Sequence, residues 1–537
     1  MLRVSIDPIH ETYHYDIQHI IKLFAEKAEI HFYDEADSLG SYDSHEALPP
    51  DHSALSRRDG KTDRPEGRES TPPGMEWKLS FSFRREEKEV HVVARLTDPM
   101  GKEARGEAIR PLQDEKRAVG FALLRALTSY TGIVQPWGIL VGVRPLKLYH
   151  KMLEKGMKKK DIHEKLISEY GLLPEKVREM ERIADRQLQV LPDLYHLSGE
   201  VSLYIGIPFC PTKCAYCTFP AYALQGKQGS VDAFLAALLE EIKVMGTWLT
   251  ERKIPVTTLY VGGGTPTSLS ADELDLLLST LAEVLPCREK LKELTVEAGR
   301  PDTITPEKIE VMKRWRVDRI SINPQTFTQA TLKAIGRHHT VEETLSAYRL
   351  ARSMGMGNIN MDLIIGLPGE GMAEYQKSLL HIEELMPDSL TVHTLSFKSA
   401  STMTQKREKY SVASAEEVSR MIRYTEEWTE RHGYHPYYLY RQKNILGNQE
   451  NVGYALPGKE SLYNILIMEE RQTIIGLGCG ASSKIISPTS GRIFRFANPK
   501  EPKVYVEHYR DYLEKKIALL EEIYSQDEKE SLTFPKK

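Results

Sequence analysis

Apolar positions in the second half of the chain recur as short runs separated by stretches with helical spacing. Strand-like runs stand at 202–207 (SLYIGI), 257–261 (TTLYV), 293–297 (ELTVE), 318–322 (DRISI), 358–363 (NINMDL) and 389–395 (SLTVHTL). Short apolar runs of this kind fit strands buried on both faces, and the amphipathic stretches between them fit crossover helices. Local start signals support the helices. Ser270 with Glu273, Thr340 with Glu343, and Ser414 with Glu417 each fit a capping box, in which two side chains satisfy two free N–H groups. Thr305 followed by Pro306 fits an N-cap with proline at the first helical position. Six alternating β/α units predict a parallel sheet. In such sheets ligands gather at the carboxyl ends of the strands, so the residues just after each strand are the ones to inspect.

The pattern before residue 200 is less regular. LRVSID, DIQHIIKLFAEKA and EIHFYD read as strand, helix and strand, and residues 76–97 read as a hairpin. Between them, residues 36–75 are rich in Ser, Asp, Gly and Pro and hold few large apolar side chains. They cannot bury enough surface to offset chain entropy and are expected to be mobile. The expected organisation is therefore a small accessory α/β domain over 1–98, with its mobile segment, and a mainly helical connector over 99–199. A β/α core over 200–400 and a mainly helical C-terminal region over 401–537 follow.

Composition narrows the function classes. The chain has 537 residues, 41% of them hydrophobic and 28% charged, which is ordinary for globular proteins of three or four domains. The net charge of −4 argues against a dedicated nucleic-acid binder. No run of 18 apolar residues appears, and the N-terminus lacks a signal pattern, so a cytoplasmic protein is expected. Of the five cysteines, Cys210, Cys214 and Cys217 fall within eight residues. In a reducing compartment such a cluster reads as metal or redox chemistry and not as disulfides.

The three cysteines follow the first core strand with the spacing Cys-x3-Cys-x2-Cys. A closed zinc site takes four ligands, and no neighbouring Cys or His supplies the fourth. Three thiolates can hold a four-iron cubane with one iron left open to a small molecule. A three-ligand zinc site and three unligated thiols are the other readings. After the second strand comes Gly262-Gly263-Gly264-Thr265-Pro266, where successive glycines let a ligand approach the backbone.

This motif after the first strand of a repeated β/α domain resembles the radical S-adenosylmethionine (SAM) enzymes. The flanking YIGIPFCPTKCAYCTF is similar to their oxygen-independent coproporphyrinogen III oxidase branch, above all to its long, HemZ-like members. The resemblance implies a partial (β/α)6 barrel of the radical-SAM type with a small N-terminal accessory domain and a C-terminal substrate-side region. It implies a [4Fe–4S] cluster on Cys210, Cys214 and Cys217, with SAM as second cofactor. Gly263, Gly264 and Thr265 would receive the SAM amino group. Glu297, Gln325, Arg337 and Asp362 would be SAM contacts, and Tyr204, Tyr216 and Ser396 match further contact positions. Tyr204 and Glu297 also fall in the implied catalytic set. The residue types suit these roles: a guanidinium grips a carboxylate through two bonds, and Gln and Asp bond ribose hydroxyls.

The implied activity is that of a coproporphyrinogen III dehydrogenase: oxidative decarboxylation of two propionates of coproporphyrinogen III to vinyl groups, giving protoporphyrinogen IX. Electrons would come from an external low-potential donor of flavodoxin or ferredoxin type. Two residues depart from the family. Gly206 stands where many members carry histidine, and Phe219 stands where the most studied oxidases carry a fourth cysteine. The second change also occurs in haem-carrier paralogues, so a haem carrier that keeps the cluster is the alternative. The carriers, however, place a His before Asn where this chain has Leu462-Tyr463-Asn464. Arg441, Lys443 and Lys484 are candidates for pairing substrate propionates. Cys287 and Cys479 read as structural.

Overall fold

The computed structural model describes residues 2–25, 28–33, 76–142, 144–222, 230–286 and 288–533, with side chains through residue 524. The expected mobile segment 36–75 and Cys287 lie outside the described residues. The chain forms two compact units, Met1–Val141 with His163–Val177, and Gly142–Ile162 with Arg178–Lys537.

The first unit is a five-stranded sheet of β1 (Arg3–Ile6), β2 (Glu29–Phe32), β3 (Glu76–Arg85), β4 (Glu89–Thr97) and β5 (Glu103–Pro111), in the order β2-β1-β3-β4-β5. The helices His14–Phe24 and Glu115–Thr131 share one core with the sheet through Ile17, Ile20, Val92, Ala118 and Ala122. Its extent corrects the expected boundary at residue 98. β5 carries a weak strand signal because its inward positions are the small Ala104, Gly106 and Ala108. A Cβ on Gly106 would collide with the backbone of Ala122 and Ala126. The small residues that hide the strand are thus what lets the helix Glu115–Thr131 lie against it.

The second unit is built on an eleven-stranded mixed sheet. Its centre is β6 (Val201–Ile207), β7 (Val256–Gly263), β8 (Glu293–Glu297), β9 (Arg319–Ser321), β10 (Ile359–Ile365) and β11 (Ser389–Thr394). These six run parallel in sequence order. They coincide with the six expected strands, and helices fill the intervals, as in a radical-SAM partial barrel. β6 and β10 are buried almost throughout, the signature of strands covered on both faces. Ser270 and Thr340 form full capping boxes. At Ser414 only half of the box forms, because Glu417 turns to accept from the Met372 N–H at the start of another helix.

The C-terminal region corrects the helical expectation. It adds β12 (His435–Tyr440) and β13 (Asn451–Ala455) antiparallel beside β11. It also adds β14 (Thr473–Gly478) parallel to β6, then the hairpin β15 (Ser482–Ile486) and β16 (Ile493–Ala497). No described helix is long and apolar enough to cross a membrane.

One buried ion pair ties β14 to the helices around it. Glu241, 1% exposed, accepts from Lys516 Nζ at 2.7 Å, Gly478 N at 2.7 Å, Tyr505 OH at 2.6 Å and Asn498 Nδ2 at 2.9 Å. Lys516→Met leaves that carboxylate buried without its counter-ion. The expected loss is about 3–5 kcal/mol, read as a lower urea midpoint for this unit. Glu241→Gln with Lys516→Met should recover much of it. An unchanged midpoint in the single variant would show that solvent reaches Glu241.

Candidate functional site

The site is assembled at the carboxyl ends of β6 to β11. After β6 the chain enters the cysteine loop, which neighbouring backbone holds in place. Cys210 N bonds Tyr222 O at 3.0 Å, Ala215 N bonds Ile335 O at 2.9 Å, and Met403 N bonds Ala215 O at 2.9 Å. Arg300, 3% exposed and paired with Asp302 at 2.9 Å, donates to Thr212 Oγ1 at 2.8 Å. Cys210, Cys214 and Cys217 are free and partly exposed. Cys210 Sγ lies 3.3 Å from Thr265 Oγ1. Burial pushes the Cys210 thiol up to about 11 and raises Cys217 as well. Without a metal these groups stay protonated; a bound metal deprotonates coordinating thiols outright.

Three thiols can serve three irons of a four-iron cubane, and they are one short of the four ligands that a closed zinc site takes.

The glycine turn closes against this loop. Gly264 N donates to Ile207 O at 2.7 Å, and Thr265 N to Phe209 O at 2.7 Å. A Cβ on Gly264 would stand 2.5 Å from Phe209 O and 3.1 Å from Cys210 Sγ. Gly263 holds φ +110°, a conformation closed to other residues.

Around the loop stand polar groups with unused hydrogen-bonding capacity. Arg337, 3% exposed, donates Nη2 to Gly299 O at 2.6 Å and Nη1 to Tyr216 OH at 3.3 Å, while its Nε has no partner. Burial opposes its charge, but its polar surroundings, with the Tyr216 contact foremost, hold the guanidinium pKa above its ordinary value. Gln325 sits in the left-handed region at φ 68°, where a non-glycine residue is strained. Two backbone bonds to β10 fix it there, and its Oε1 has no partner. Asn323 Oδ1, a few residues earlier, is likewise buried and unpartnered. A carboxylate fits the free Arg337 Nε donor, and ribose hydroxyls fit the free Gln325 and Asn323 oxygens.

The remaining site residues are engaged within the protein. Asp362 accepts from Asn360 Nδ2 at 2.7 Å and lies 3.6 Å from His393 Nε2, while His393 Nδ1 lies 3.3 Å from Tyr440 OH. Burial opposes its ionisation, yet His393 and Asn360 hold its carboxyl below the usual range. Glu297 accepts from Tyr260 OH at 2.5 Å, and burial pushes its carboxyl up to about 7. Tyr260 stacks on Tyr463 at 4.4 Å and on Tyr204 at 6.2 Å. Ser396 donates to Lys443 O at 2.9 Å, tying the segment after β11 to the region before β13.

Sequence patterns passed over Tyr260, His393 and Lys398. Lys398 lies in the segment that bonds the cysteine loop, and burial lowers its ammonium against the pull of Cys217. Each follows a strand or alternates within one, a signal legible only once the strands are placed. The three propionate candidates part company. Arg441 is buried and donates to Asn448 Oδ1. Lys443 is exposed near Ser396. Lys484 stands at the other end of the sheet, opposite Ile474 near the start of β14. Cys479 is 3% exposed, and burial pushes its thiol up to about 12.

The radical SAM superfamily model matches residues 204–382. The chain is 58% identical over 415 residues to the oxygen-independent coproporphyrinogen-III oxidase-like protein HemZ of Bacillus subtilis, covering 77% of this chain and 83% of that protein. It is 32% identical over 286 residues to the heme chaperone HemW of the same organism, covering 53% and 71%. The solved structure of coproporphyrinogen III oxidase (HemN) from Escherichia coli aligns with TM-score 0.47 and 22% identity over 60% of this chain and 72% of that one. The chain belongs to the radical SAM superfamily and, within it, to the HemZ-like family of oxygen-independent coproporphyrinogen III oxidase relatives. Proteins of this superfamily use a [4Fe–4S] cluster and SAM, and the thiols and vacant polar atoms of this site fit both groups.

Proposed function

We propose that this chain is an oxygen-independent coproporphyrinogen III dehydrogenase, which converts two propionates of its substrate to vinyl groups, each losing carbon dioxide, one β-hydrogen atom and one electron, the electron passing to an external acceptor. One observation carries the reading. Three free thiols on one loop face a glycine turn and a buried arginine with a free Nε donor. When bound, the cluster and SAM would supply the one-electron chemistry that takes a hydrogen atom from a propionate β-carbon. The chain's own residues position and shield. Cys210, Cys214 and Cys217 hold the cluster, and Gly263, Gly264 and Thr265 bring the backbone close beside it. Arg337 grips the SAM carboxylate, and Gln325 and Asp362 bond the ribose. Tyr204, Tyr260 and Tyr463 form a stacked wall that keeps water from the reacting carbon. An external flavodoxin- or ferredoxin-like donor supplies the electron.

The decisive experiment is anaerobic reconstitution with SAM, a low-potential reductant and coproporphyrinogen III. A monovinyl intermediate should precede the divinyl product, because one radical site attacks one propionate at a time. SAM cleavage should depend on the substrate. The carrier reading has one observation in its favour: Phe219, two residues past Cys217, is 54% exposed and offers an apolar face beside the loop. Tyr463 counts against it. The residue standing where carriers place histidine is buried against Tyr260 and offers no imidazole to haem iron. Stoichiometric haem uptake without any vinyl product would favour the carrier.

Glu297 gives this site a pH dependence. With its carboxyl near 7, the group is mostly neutral at pH 6 and mostly charged at pH 8. SAM carries a sulfonium cation, so its affinity should rise across that window. Glu297→Gln should flatten the profile measured by calorimetry. A profile of equal slope in the variant would assign the titration elsewhere.

A further inference from the structure

Four cations converge on one carboxylate near the amino end of β14, away from the cysteine loop. Glu470, its side chain 4% exposed, is contacted by Arg144 and Lys147, by Lys484 at 3.1 Å and by Arg495 at 3.6 Å. Burial opposes its charge, but Lys147, Arg144 and Lys484 hold its carboxyl down at about 2. Four cations against one carboxylate leave a surplus of three positive charges. The nearby acids do not offset it. Glu154 is taken by both Nη atoms of Arg471, at 2.7 and 2.6 Å. Glu469 is 2% exposed, and burial pushes its carboxyl up to about 7.

Three of the four cations are also badly placed for stability alone. Lys484 and Arg495 face each other directly across the β15–β16 pair, where like charges are destabilising. Lys147 lies in the first turn of the helix Leu146–Glu154, which holds no acidic residue there, at the end where the dipole disfavours a cation. Glu470 itself sits in the left-handed region at φ 50°. Burial, with Arg144 and Arg495 close by, pushes the Lys484 ammonium down to about 8. A fold with no use for this charge would lose nothing by spreading it.

We infer that this cluster is a binding site for a small phosphate-type oxyanion of two or more charges, held by Lys484, Arg495 and Arg144 beside Glu470. Convergence on one point argues for a compact anion over an acidic protein face, whose partners would be dispersed. The planar forks of Arg144 and Arg495 match phosphate oxygens in pairs. The site is separate from the cysteine loop: Lys484 is in register with Ile474, whereas Gly478, at the far end of the same strand, is in register with Gly206. It does not depend on the proposed reaction.

Calorimetry on the full chain at low ionic strength tests it, with inorganic pyrophosphate in one arm and ADP in the other. Saturable one-to-one binding is expected. The double variant Lys484→Gln, Arg495→Gln should weaken it about tenfold or more, the effect of losing one or two charge-assisted bonds. Arg495→Gln alone, at an exposed position that the fold tolerates, should weaken it in the same direction. Lys503→Gln, at an exposed position on the C-terminal helix, should not. Equal affinity for the two probes identifies recognition of the phosphate chain itself, and tighter binding of ADP identifies a nucleotide; either supports the site. No saturable binding of either probe, or binding unchanged in Arg495→Gln and in the double variant, overturns it.

Discussion

Cys214→Ala protein, reconstituted anaerobically with iron and sulfide, is expected to retain no cluster, against about four irons per parent chain. The loop explains why the effect is all or none. In the proposed site three thiols serve three irons, so the loss of any one leaves an iron without its protein ligand. Cys210→Ala and Cys217→Ala should behave alike, with the visible charge-transfer absorption lost in each. Cys479→Ala should keep it, because that thiol is only 3% exposed and lies outside the Cys-x3-Cys-x2-Cys run. Cys287→Ala should keep it too. A cluster that survives Cys214→Ala would overturn the ligand assignment.

SAM affinity should fall roughly ten- to a hundredfold in Arg337→Ala, which corresponds to about 1.5–3 kcal/mol for a charge-assisted contact. The unpartnered Nε of this buried side chain is the reason. Two of the three guanidinium nitrogens are already committed to Gly299 and Tyr216, which fix its orientation. The third is left for a ligand carboxylate. Arg337→Lys should recover only part of the loss, since an ammonium cannot bond Gly299 and Tyr216 and present a donor at the Nε position at once. Iron content in each variant shows whether the loop still forms. Unchanged affinity by calorimetry, in protein that still loads iron, would remove Arg337 from the site.

Both expectations concern a ligand set that is local in the chain and an environment that is not. Cys210, Cys214 and Cys217 are readable from spacing because one loop carries all three. The six core strands are equally readable, since strands covered on both faces must be continuously apolar and the helices between them carry their own caps. Gly262 to Gly264 and Arg337 become meaningful by position after a strand and by family resemblance.

Other features depend on contacts between distant segments. β5 escaped notice because its inward residues are small, and they are small because a helix packs directly on them. The strands of the C-terminal region form only because β6 and β11 offer edges on which to pair. The strain at Gln325 arises from two bonds to β10, and the unusual carboxyl of Glu297 arises from burial beside Tyr260. Lys484 illustrates the same limit. Its sequence neighbourhood suggests a substrate contact, but the register of β15 against β14 carries it to the opposite end of the sheet, into the cation cluster around Glu470. Local periodicity and spacing therefore determine the elements and the cysteine triad of this protein. Which polar atoms are left unpartnered, and which charges meet, is decided only when strand pairing brings residues far apart in the chain into contact.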